Sequence, residues 1–156
     1  MRKEELPLKI REAILSDIPK IVELLADDKL GKNRESPGTE LPQEYYSAYE
    51  KIKSDENQEL IVVERQGEII GTLQLSFIQY LTHEGSLRAQ IEGVRIRSDM
   101  RSLGIGKFMI EWAVNRAQER KAHMLQLTTD KQRKGAIAFY QELGFQASHE
   151  GMKLHL

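Results

Sequence analysis

Cysteine is absent from all 156 residues, which excludes disulfides, thiolate metal sites and a cysteine nucleophile, and is compatible with a reducing compartment. An excess of one charge is also missing. The 23 Lys and Arg stand against 24 Asp and Glu, a formal net charge of −1, so no global field recommends nucleic acid or membrane as a partner. The N-terminus, Met1-Arg2-Lys3-Glu4-Glu5, leads into no apolar run of signal-peptide or transmembrane length, and the expected location is the cytoplasm. His83, His123, His149 and His155 form no ligand-like i, i+4 pair, so no metal site is expected. What the chain does have is 40% hydrophobic residues. That suits one globular domain over residues 1–156, burying roughly two thirds of its unfolded surface.

Periodicity places the elements. Leu8 to Arg11 alternates as a short strand, and Ser16-Asp17 precedes Ile18, Ile21, Val22, Leu24 and Leu25 as an N-cap precedes a helix. Lys29 to Pro42 reads as a polar loop with Gly31, Pro37 and Gly38; Gln43 to Lys53 carries Tyr45, Tyr46, Tyr49 and Ile52 at helical spacing. Gln66-Gly67 is a hairpin signal between strands at Leu60 to Glu64 and Ile69 to Leu75, the second running on to about Leu81. A central strand follows at Gln90 to Arg97, then a helix at 105–119, a strand at Met124 to Thr128 and a helix at Ala136 to Leu143 closed by Gly144. Phe145 to Leu156 reads as a final hairpin turning at Glu150-Gly151. Gly93 inside the central strand weakens it by about 0.5–1 kcal/mol relative to Ala, so a bulge or a close ligand approach is expected there.

The junction Arg101-Ser102-Leu103-Gly104-Ile105-Gly106 reads as an anion cradle. Its glycines let backbone approach a ligand closely, and the first N–H groups of the following helix lack internal acceptors. The same pattern also serves as an ordinary strand-to-helix turn. Two better-known phosphate loops are excluded. Gly106-Lys107 is followed by Phe108 rather than Ser or Thr, and the position three residues after Gly106 is Met109 rather than Gly or Ala.

Taken together, Val94-Arg95-Ile96-Arg97, the Arg101-x-x-Gly104-x-Gly106 turn and Ala136-Ile137-Ala138-Phe139-Tyr140-x-x-Leu143-Gly144-Phe145 resemble the GCN5-related N-acetyltransferase (GNAT) family. The resemblance spans nearly the whole chain and is strongest from Ile91 to Phe145. One departure is Arg133, where many members carry Asn three residues before the Ala equivalent to Ala136. The resemblance implies an α/β fold of the α+β type: a mixed, mostly antiparallel sheet with a splayed parallel pair, flanked by about four helices. It implies acetyl-CoA as cosubstrate and no metal. Pantetheine would lie between the strands at 90–97 and 123–129, paired like an added strand with the backbone of Val94, Arg95 and Ile96. Arg101, Ser102, Leu103, Gly104, Ile105, Gly106 and Lys107 would hold the pyrophosphate, and Lys131 or Arg133 a coenzyme phosphate or the adenosine end. Tyr45, Tyr46 and Tyr49 line the acceptor site or pack their helix on the sheet.

An alkyl ammonium of pKa ~10.4 is neutral at pH 7 about once in ~2,500 molecules, roughly 4.6 kcal/mol uphill, so a proton acceptor is needed. Glu92, in the strand beside the thioester, is the candidate base; a solvated Glu, or an ion pair with Arg95 or Arg97, is the other reading. Tyr140 is the candidate acid for the departing thiolate, and packing beside Phe139 and Leu143 is its alternative. The function expected is direct N-acetylation of a primary amine on a small molecule or protein, no Cys being available for an acyl-enzyme. The competing expectation is a non-catalytic CoA-binding regulatory module. Partners are acetyl-CoA and an amine, with a homodimer open and neither nucleic acid nor membrane involved.

Overall fold

The computed structural model describes residues 7–156; the reading of Met1 to Glu5 lies outside them. Five strands form one sheet in the order β1-β2-β3-β4-β5. They are β1 (Leu8–Glu12), β2 (Gln58–Arg65), β3 (Glu68–Gln79), β4 (Leu87–Ile96) and β5 (Met124–Leu127). The first four run antiparallel, whereas β4 and β5 are parallel. This is the mixed sheet that the family resemblance implies. Gln66 and Gly67 both take positive φ, 54° and 77°, as a two-residue primed turn between β2 and β3 requires.

Helices cover both faces. On one, α1 (Ile18–Ala26) and α3 (Gln43–Ser54) pack Ile18, Ile21, Val22 and Tyr49 against Val62. On the other, α5 (Ile105–Glu119) buries Ile105, Met109, Ile110, Ala113 and Ala117, a stripe at three- and four-residue spacing. These meet Val63, Ile70, Leu73 and Ile91 of the sheet, and α6 (Ala136–Glu142) packs Phe139 and Tyr140 on the same core. Two short segments lie where no helix is expected from periodicity: α2 (Gly31–Arg34), and α4 (Thr82–Gly85), a turn with His83 and Glu84 at positive φ. Both are too short for a periodic apolar signal.

One expectation is overturned. Gln146 to Leu156 forms no hairpin, takes no strand conformation and is exposed throughout. Glu150-Gly151 signals a turn, but a hairpin without a buried face has no hydrophobic gain to hold it. Among the described residues no helix is long and apolar enough to cross a membrane.

Candidate functional site

The site begins at a defect in the sheet. Thr72 pairs with Arg95 and Gln74 with Glu92, so Leu73 alone faces both Gly93 and Val94. Gly93 sits at φ 62°, the left-handed conformation of the first residue of a glycine bulge. Just before this bulge the parallel pair ends: β4 and β5 are paired from Arg88 with Met124 to Ile91 with Leu127. Among the described residues, from Glu92 to Ile96 the β5-facing edge of β4 has no neighbouring strand. Arg97 donates its N–H to the Ile70 carbonyl at 2.8 Å, so strand alternation turns the backbone groups of Val94 and Ile96 toward the opening. An extended amide ligand could pair with them.

At the mouth of the opening, Gly104 takes φ 81° and starts α5 with no side-chain cap. The first N–H groups of the helix are therefore free to meet an anion. The two glycines of the turn do different work. A Cβ on Gly104 would meet nothing within 4 Å, whereas one on Gly106 would stand 3.0 Å from Phe139 Cζ and 3.3 Å from Ile96 Cδ1. Gly104 supplies conformation, and Gly106 lets α5 approach α6 and β4. Ser102 also has positive φ, and Leu103 and Ile105 flank Gly104 with opposite exposures, outward and buried. Arg101 is tied to the Ile96 carbonyl at 3.3 Å and the Asp27 carbonyl at 3.0 Å, and Lys107 faces Glu111 across one helical turn at 3.8 Å.

Tyr140 lies on α6 with its ring edge-to-face against Phe139 and Phe145, at 5.0 and 5.6 Å between centroids. Burial pushes its phenol above the ordinary value although Arg95 and Arg133 pull it down, so it is protonated at neutral pH. Glu92 is exposed on β4 and accepts a hydrogen bond from Gln90 Nε2 at 2.9 Å. Its ion-pair reading is overturned, because Arg97 is taken by Glu68 and Asp99 and Arg95 turns to Asp28.

Three further expectations meet a different geometry. Tyr49 is 3% exposed in the core beneath α3, with its hydroxyl directed at the Ala13 carbonyl at 3.4 Å, so it packs its helix rather than lining a site. Tyr45 donates to Glu35 at 2.7 Å and accepts from the Ser36 N–H, anchoring the segment after α2; Tyr46 is half-buried beside it. Lys131 is 89% exposed opposite Glu150, while Arg133 is bonded to Asp28. Asp28 itself escapes the sequence reading, since a lone carboxylate beyond a helix end carries no spacing signal.

Bulge, parted strands and uncapped helix start define a class: α/β proteins able to seat an extended, anion-ended ligand between two strands of one sheet. A sequence model of the acetyltransferase (GNAT) family matches residues 18–145, well over half of the chain. The chain belongs to that family, which uses acetyl-CoA. It is 29% identical over 85 residues, 54% of each chain, to the aminoalkylphosphonate N-acetyltransferase of Salmonella typhimurium strain LT2, and so spans about half the length of that curated relative. The crystal structure of a transcriptional regulator from Bacillus halodurans C-125 matches at TM-score 0.93 and 51% identity, over 96% of this chain and 100% of that one. A predicted acetyltransferase from Clostridium acetobutylicum, solved with acetyl-CoA, shares the fold at TM-score 0.74 and 22% identity, over 96% of both chains.

Proposed function

We propose that residues 1–156 form one acetyl-CoA-dependent N-acetyltransferase domain that passes the acetyl group directly to a primary amine. The observation that carries this reading is the open β4 edge from Glu92 to Ile96, which leads from the uncapped start of α5 toward Tyr140. Pantetheine amides pair with Val94 and Ile96 along that edge, and pyrophosphate meets the turn from Arg101 to Lys107. Glu92, directly or through water, takes a proton from the substrate ammonium. The freed nitrogen lone pair attacks the thioester carbonyl, and the oxyanion is met by a backbone N–H near Val94. Collapse breaks the C–S bond and the thiolate takes the Tyr140 proton, while the attacking nitrogen gives up its remaining excess proton to water and so to the Tyr140 phenolate; the N-substituted acetamide and free CoA thiol leave.

A CoA-binding regulatory module is the second reading, favoured by the Bacillus halodurans protein reported as a transcriptional regulator. Thiol release from acetyl-CoA across a panel of amines separates the two. Release matched by acetylated amine supports the transferase; tight acetyl-CoA binding without turnover on any amine supports the regulator.

The reading includes a second copy of the chain as partner. Among the described residues the outer edge of β5 carries no strand, and Gln146 to Leu156 is exposed, with Met152, Leu154 and Leu156 on alternate positions. An open edge and an amphipathic extended segment satisfy each other across two protomers.

A further inference from the structure

Beside the opening, on the face covered by α1 and α2, two guanidinium groups share one carboxylate. Arg95 projects from β4 just after the bulge, its side chain 12% exposed and its Nε 3.5 Å from Asp28 Oδ2. Arg133, from the connection between β5 and α6, bonds to the same Asp28 oxygen. The other Asp28 oxygen is already taken by the Gly31 N–H. One carboxylate therefore serves two arginines. Arg95 Nη1 donates to the Val94 carbonyl at 2.8 Å, but among the described residues its buried Nε has no hydrogen-bond partner.

The electrostatic balance agrees. Burial lowers the Arg95 pKa first and Arg133 lowers it further, with Arg34 adding to the push, while Asp28 and Glu35 oppose them. Arg95 and Arg133 against Asp28 leave one positive charge in excess, and Glu35 is engaged by the Tyr45 hydroxyl. A buried cation with incomplete pairing is costly unless a ligand completes it. Both Arg95 and Arg133 act on the Tyr140 phenol, so the surplus charge stands beside the group assigned to the sulfur of the thioester. Planar guanidinium forks match the oxygens of a phosphonate, phosphate or carboxylate.

We propose that Arg95 and Arg133 hold an anionic group of the acceptor, so that the amine acetylated here belongs to a small zwitterion bearing a phosphonate, phosphate or carboxylate. This rests on the transferase reading for its location but is recognised by binding as well as by turnover. Asp28 positions the two arginines. Its Gly31 contact ties them to the start of α2, where a Cβ on Gly31 would run into the Leu25 carbonyl, so the cluster is held by backbone that cannot easily yield.

The test has a binding arm and a turnover arm. Methylphosphonate, which has no amine, is titrated into the CoA-saturated protein at constant ionic strength while melting temperature is followed. Initial rates are then compared for an alkylamine, an ω-aminocarboxylate and an ω-aminophosphonate of equal chain length. Methylphosphonate should raise Tm, and at least one anionic amine should exceed the alkylamine in kcat/KM by ten-fold or more. Arg133→Gln should abolish the Tm response and raise KM for the anionic amine at least ten-fold more than it raises KM for the alkylamine. Arg95→Lys, which keeps the charge but loses the fork, should reproduce the KM effect if Arg95→Gln does not fold. A Tm response that needs Arg133 without thiol release from any amine retains the anion site and removes the transferase. Turnover with no preference for anionic amines and no methylphosphonate response removes the anion site and retains the transferase.

Discussion

Tyr140 and Glu92 sit in contrasting surroundings, and their substitutions should report it. Tyr140 is held between two aromatic rings with its phenol protonated, so Tyr140→Phe keeps the packing and loses only the proton. Turnover should fall on the order of 10²-fold with acetyl-CoA affinity unchanged, measured by steady-state kinetics beside calorimetric binding. Glu92→Gln should lower turnover with equally little effect on binding, because Glu92 is exposed and its side chain bonds only Gln90; unchanged turnover assigns the base to water or another carboxylate. Away from the site, Arg11 joins Asp17 at 2.7 Å and Glu64 at 2.8 Å. Burial raises the Asp17 pKa, but Arg11 and the Ile14 N–H lower it more, for a net depression. Its stabilisation is therefore full above the unfolded value of roughly 3.9 and is lost as pH falls through the lower folded value. Asp17→Asn should cost about 2 kcal/mol in urea unfolding at pH 7, discounted for the part-exposed Arg11. The gap to the unmodified protein should narrow as pH falls below the unfolded value and through the lower folded one.

At the scale of elements, the proposal rests cosubstrate binding on one turn. A valine at Gly104 has room for its Cβ yet meets a φ of 81°, costing about 1–2 kcal/mol and distorting the uncapped start of α5. Gly104→Val should remove the Tm rise given by acetyl-CoA while the free protein still folds; normal acetyl-CoA binding in that variant would move the cradle elsewhere. The segment from α2 to α3 is the one proposed for the other substrate. Tyr46→Ala should raise KM for the amine more than KM for acetyl-CoA in bisubstrate kinetics, since α2 and α3 lie on the Asp28 side of the sheet, opposite α5. Equal losses for both substrates would mean a general loss of stability.

For the whole molecule, the edge of β5 left unpaired among the described residues and the exposed segment after α6 set the expectation of a dimer. Eleven donated residues from Gln146 to Leu156, with about as many receiving ones, place each protomer near the ~20–30 residues a side of a standard interface. Light scattering should give about twice the 18.0 kDa chain mass. Leu154→Glu should shift the mass toward the monomer, because a carboxylate replaces an alternate apolar position. A monomer with the unmodified chain would overturn the second copy as partner.

Periodicity and turn chemistry by themselves determined most of the elements: α5 lies at Ile105–Glu119, where the apolar spacing puts it, and the Gln66-Gly67 hairpin and the bulge at Gly93 follow from glycine's access to positive φ. The motif from Ile91 to Phe145 was enough to find the family. Those signals are local, carried by residues within a turn or a strand of one another. Tertiary structure alone decided that Tyr49 belongs to the core, that Glu92 is unpaired with arginine, and that Asp28 and Arg133, 105 positions apart, meet beside Arg95. It also left the final segment without the hairpin that Glu150-Gly151 suggests. Each of these depends on which surfaces the sheet brings face to face, and the electrostatic demand around Arg95 exists only once burial has removed the water that would otherwise meet it.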